Sequence, residues 1–164
     1  MNISFREGWL TWRGGSARAA CGRAGISAEK REGDGASPAG TFPLVRAFYR
    51  PDRIAAPRTS LPLTALSPGH GWVDDPADPA YNRLVTLPYP AGHEALWRQD
   101  AIYDVLVVIG YNIDPIVPGA GSAIFLHVAR PDYSPTAGCI AIARPALVSL
   151  LGLLGPGSTI TIAP

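Results

Sequence analysis

Two residues of this chain could carry covalent chemistry together, Cys139, which follows Gly138, and His127. A thiol attacks a carbonyl only as thiolate, and a free one ionises near ~8.5, so it needs a base beside it. Histidine is the side chain best suited to take that proton or to hold a thiolate as an ion pair. If the strand ending at Val128 pairs antiparallel with the one starting at Gly138, and these two residues face each other, His127 lies opposite Cys139. Directly opposed residues share a face with Cβ atoms about 4.5–5.5 Å apart, whereas another register would part the pair. Gly138 lets backbone approach a substrate closely and frees nearby N–H groups for an oxyanion. The competing reading is a buried core cysteine beside a hydrogen-bonded histidine, since cysteine is among the most buried residue types. Cys21, between Ala20 and Gly22, is read in that structural way.

The elements that would position the pair are mostly strands. Gly (18) and Pro (17) are abundant without any period, which points to many turns between short strands. Strands are expected at Trp9–Trp12, 17–22, Phe42–Tyr49, 101–110, 122–128, 138–143 and 158–163. In the 101–110 segment Val105, Val107 and Ile109 should share one face. Arg144-Pro145 opens a helix whose apolar stripe is Ala146, Leu147, Leu150, Leu151 and Leu154, closed by Gly155-Pro156. A second short helix is expected at Glu94–Arg98. Recurrent prolines forbid a long helix in residues 50–93, and the aromatics there suggest a segment packed down, either as a binding wall or as a surface wrap without function.

Length, 164 residues, suggests one domain over 1–164, and 47% hydrophobic against 16% charged residues excludes a disordered chain. With 14 basic and 13 acidic side chains, nothing steers the protein to nucleic acid or anionic lipid. Two cysteines and three scattered histidines give no metal-ligand spacing, so neither metal nor cofactor is expected. No apolar run reaches the ~20 residues of a spanning helix, and no export leader is read at 1–10.

The stretch from Ile124 through His127, Thr136, Gly138 and Cys139 to Ile142 resembles the L,D-transpeptidase catalytic domain of the YkuD type. That family ends one strand in histidine and opens the next with Ser/Thr-His-Gly-Cys; Thr136, Gly138 and Cys139 match three of those four positions. Upstream, the block Lys30-Arg-Glu-Gly-Asp-Gly-Ala-Ser37-Pro38-Ala-Gly40-Thr-Phe42 resembles the family's Thr-Pro-x-Gly-x-Phe segment, with Ser37 in place of threonine. Ala137 stands where the family has its signature histidine, and Ala141 where it has arginine. The loop between His127 and Cys139 is shorter than the family's, which suggests a divergent branch.

The resemblance implies a mainly β fold, a sandwich of mixed sheets with one or two short helices. It implies that Cys139 attacks the carbonyl of an L-residue joined to a D-residue in a peptidoglycan stem peptide. His127 protonates the leaving amine, and an amine of a second stem resolves the thioester to a 3→3 or a 1→3 cross-link. The ring of His127 would be oriented by a backbone carbonyl or by Thr136. Substrate contacts are sought among Arg130, Arg144, Tyr111, Asn112 and Trp72, with Arg83 and Arg98 as further arginines. The alternatives are an L,D-carboxypeptidase or amidase with the same pair, and an inactive peptidoglycan-binding module. The family works at the cell envelope, and a monomer is expected.

Overall fold

The computed structural model describes residues 1–164. In chain order the strands are β1 (Asn2–Arg6), β2 (Trp9–Trp12), β3 (Gly15–Ala20), β4 (Ile26–Ser27), β5 (Ser37–Pro38), β6 (Gly40–Tyr49) and β7 (Leu63–Ala65). Then come β8 (His70–Val73), β9 (Leu84–Thr86), β10 (His93–Ala95), β11 (Val105–Ile109), β12 (Phe125–Val128) and β13 (Ile140–Ile142), the helix α1 (Arg144–Leu151) and β14 (Thr159–Ile162). The fold is mainly β, as the sequence leads one to expect. Its first strand went unread, although Ile3 and Phe5 alternate with polar Asn2, Ser4 and Arg6 and are buried.

Two sheets share their corner strands. One runs β3-β2-β1-β14-β6, and the other runs β3-β13-β12-β11-β6-β7. The long strand β6 serves both: Gly40–Pro43 pair with β14, and Leu44–Tyr49 pair with β11. Likewise β3 pairs with β2 through residues 15–18 and with β13 through residues 19–20. The two sheets therefore close on each other as a sandwich around one apolar core, in which strands that switch sheets make the corners.

The core holds Ile3, Phe5 and Leu10 from one sheet, and Val105, Val107, Ile109, Leu126, Ile140 and Ile142 from the other. Leu147, Leu150 and Leu151 of α1 close it. Each such side chain contributes about 1.5–3 kcal/mol by leaving water. Pro145 sits in the first turn of α1, where its missing N–H costs nothing. The helix ends at Leu151 with Gly152 as its cap, short of the expected Gly155-Pro156, though Leu154 still packs into the core.

The second sheet is buried on both faces. Its other face carries Phe48, Leu106, Val108, Phe125, His127 and Cys139, and is covered by Leu66, Trp72, Leu96 and Tyr103. The cover thus comes from the proline-rich stretch, through Leu66 and Trp72, and from the residues after it, through Leu96 and Tyr103, organised by a small sheet in the order β10-β8-β9. No helix forms at Glu94–Arg98: His93–Ala95 is strand β10, with Glu94 opposite Trp72. The local residues permit either form, and pairing with β8 decides.

Candidate active site

The expected hairpin-like pairing of His127 with Cys139 is not what forms. β12 and β13 run parallel, with Leu126 beside Ile140 and His127 beside Ala141. Residues 129–139 make the crossover connection that a parallel pair requires. Continuing that register by one residue sets Cys139 beside Phe125. Side chains alternate between faces, so Phe125, His127, Cys139 and Ala141 share one face. The pair is brought together diagonally rather than directly opposed.

Both side chains open on one cavity of about 350 Å³, lined also by Lys30, Glu32, Glu94, Arg98, Tyr103, Arg130 and Gly138, among others. Cys139 and His127 are nonetheless only 8% and 5% exposed, so the cavity is their main contact with solvent. The Cys139 thiol donates to Ala123 O at 3.3 Å and accepts from the Phe125 N–H at 3.3 Å. His127 Nδ1 lies 3.0 Å from Val128 O. A carbonyl only accepts, so Nδ1 carries the proton and Nε2 is left as the basic nitrogen. Of the two orienting groups considered, the backbone carbonyl is the one in place. The ring also meets the edge of Tyr103 at 5.4 Å between centroids.

Burial favours the neutral form of both groups. Burial pushes the Cys139 thiol up to about 12, and Glu94 adds to it; the Phe125 N–H and the charge of Lys30 pull it the other way. Burial pulls His127 down to about 4. Burial therefore works against a preformed thiolate–imidazolium pair. Tyr103 donates to Glu94 Oε1, and burial raises both groups.

Thr136 bonds to the backbone around Cys139. Its Oγ1 donates to Cys139 O at 2.7 Å and accepts from Gly138 N–H at 3.0 Å. Its own N–H donates to Cys21 O at 2.9 Å, so the cysteine read as structural anchors this turn through its carbonyl. Gly138 has φ 148°, and a β-carbon there would stand 2.9 Å from Ala36 O. Only glycine fits that turn. Ser37 of the upstream block is fully buried; it accepts from the Gly22 N–H at 2.9 Å and donates weakly to Cys139 O at 3.5 Å. The two blocks that carried the resemblance thus meet at the carbonyl of Cys139.

A family comparison now adds to this geometry. The model of the L,D-transpeptidase catalytic domain family, YkuD, matches residues 2–162. The chain belongs to that family. Comparison with curated proteins gave no match. Membership carries a peptidoglycan-directed, L,D-transpeptidase-type catalytic domain.

Of the residues sought as substrate contacts, only Arg130 and Arg98 line the cavity. Arg144 instead donates to Asp104 Oδ2 at 3.1 Å, while Arg53 donates to Asp104 Oδ1 at 2.7 Å. Asp104 is 2% exposed, and a buried carboxylate needs such partners, so the arginine after β13 is committed to structure. Trp72 lies behind the site, edge-on to Phe125 at 5.2 Å with Nε1 on Asn82 Oδ1. Tyr111 donates to Ala120 O, and Asn112 donates to Val117 O and Gly121 O; both brace the 112–121 loop rather than line the cavity. Sequence reasoning missed Lys30, Glu32, Glu94 and Tyr103 as lining groups. Lys30 and Glu32 fall inside the resemblance block, and Lys30 is the only lysine of the chain.

Proposed function

We propose that the chain is a peptidoglycan L,D-transpeptidase that joins stem peptides through a thioester on Cys139. The observation that carries this reading is one cavity holding the Cys139 thiol and a histidine whose Nε2 is left free by the Nδ1–Val128 contact. Cys139 Sγ attacks the carbonyl carbon of the L-residue while His127 Nε2 takes the thiol proton. Attack and proton transfer go together, because burial disfavours the separated ion pair. The carbonyl electrons return, the C–N bond breaks, and His127 protonates the departing amine of the D-residue. An amine of a second stem then attacks the thioester, giving up its proton to His127, and the thiol is restored.

The cavity walls suit a substrate with charges of both signs. Arg98 and Arg130 stand on the His127 side, and both disfavour its protonation. Glu32 and Asp74 each act on Glu94 and form an acidic wall. Stem peptides carry carboxylates and a side-chain ammonium, which fit these two sides. The unit is the whole chain, 1–164, acting as a monomer at the cell envelope, on 3→3 or 1→3 links. No helix is long and apolar enough to cross a membrane.

Intact-protein mass after incubation with purified disaccharide-tetrapeptide tests the nucleophile. Wild type should gain the acyl mass and Cys139→Ala should not; the same adduct on both would refute it. Adding acceptor stems and reading cross-linked dimer against hydrolysed monomer separates the transferase from an L,D-carboxypeptidase. Fragmentation of the dimers separates 3→3 from 1→3 links.

A further inference from the structure

Lys30 is buried to 4% side-chain exposure and is threaded between two glycines that leave room for it. A β-carbon on Gly121 would stand 2.9 Å from its Cε, and one on Gly138 would stand 3.4 Å from its Nζ. Both glycines have positive φ, 122° and 148°, so both positions are closed to other residues on backbone grounds as well. The ammonium is held from behind: it donates to Asp34 Oδ1 at 3.0 Å and to Arg31 O at 3.4 Å. Asp34 is itself fixed by the N–H groups of Arg31 at 2.7 Å and Ala36 at 2.9 Å. An ammonium has three N–H donors, so one is left, on a group that lines the cavity beside Gly138 and Cys139. The Cys139 N–H likewise makes no hydrogen bond within the chain.

We infer that Lys30 is a catalytic residue of the acylation step, supplying with the Cys139 N–H the positive site for the oxyanion. Resting on the acyl-transfer reading above, it names the group that takes the developing charge. As the S–C bond forms, the carbonyl π pair moves onto oxygen, and His127 Nε2 holds the thiol proton. The oxygen then meets a cation already fixed in place. Collapse returns the pair and expels the leaving group, which takes the proton from His127. The ammonium neither gains nor loses a proton. Donors fixed before the reaction need no reorganisation as the charge develops, and so act more strongly than mobile ones.

Burst acylation of Cys139 by p-nitrophenyl acetate tests this without using any peptidoglycan fragment. Lys30→Met and Lys30→Ala are expected to acylate about 100-fold more slowly at pH 7.5, the usual cost of losing one oxyanion donor. Their alkylation by iodoacetamide, which builds no oxyanion, should change less than tenfold. Ethylammonium chloride should restore acylation of Lys30→Ala at least tenfold while leaving Lys30→Met unchanged. Should Lys30→Met fail to fold by circular dichroism, Lys30→Gln takes its place. Acylation within threefold of wild type would overturn the role. So would equal losses of acylation and alkylation with no amine rescue, the mark of a purely structural clamp. Failure of wild type to react with stem peptides, with the ester ratio intact, would sink only the substrate reading.

Discussion

The resting state of Cys139 fixes how its reactivity must depend on pH. In a Cys21→Ser background it is the sole thiol, since the chain has two cysteines and both are free. With the thiol pushed up to about 12, the thiolate fraction at pH 7.5 is about 10⁻⁴·⁵. An unperturbed cysteine ionising near ~8.5 is about one-tenth thiolate at that pH. Population alone then makes iodoacetamide alkylation of Cys139 on the order of 10³-fold slower than that of a cysteine in a short peptide. The rate should rise close to tenfold per pH unit from 7 to 10 without levelling. The physical source is the loss of water around the sulfur, which no neighbouring cation fully offsets. Stopped-flow or mass-resolved alkylation across that range reads the result. A plateau below pH 9, with a rate near that of the peptide, would mean that a thiolate–imidazolium pair exists at rest. Burial would then not set the protonation of Cys139.

Stability should fall on the acid side through His127. Its folded value, about 4, lies below the ordinary 6.5, so the unfolded chain takes up this proton first as pH drops. The contribution is full above about 6.5 and is lost as pH falls towards 4, amounting to about 3 kcal/mol. Urea midpoints of wild type and His127→Asn should differ in acid slope across that window. Asp104→Ala leaves Arg53 and Arg144 without their shared carboxylate and should cost about 3 kcal/mol in chemical denaturation. Per folded molecule, its acylation rate should be unchanged. Gly138→Ala forces a side chain onto Ala36 O at φ 148° and should cost about 1–3 kcal/mol. It should also abolish acyl-adduct formation by intact mass. Thr136→Val removes the two hydroxyl hydrogen bonds to the Cys139 turn and should slow acylation about tenfold with a lowered thermal midpoint.

Local chemistry was legible in the residues themselves. Alternation of apolar side chains marked β2, β6, β11 and β14, and the Arg144-Pro145 opening marked α1, because these patterns follow from periods of two and of about 3.6 that need no partner. Gly138, Cys139, His127 and the Ser37 block announced the family through residue type and order. What sequence could not carry was which strands become neighbours. The parallel pairing of β12 with β13, the strand at His93–Ala95 and the capture of Arg144 by Asp104 each depend on segments far apart in the chain. So does the arrival of Lys30 beside Gly138, which needs two distant glycines and a carboxylate to hold it. Charges and thiols take their properties from burial, and burial is decided only when the whole chain has closed around them.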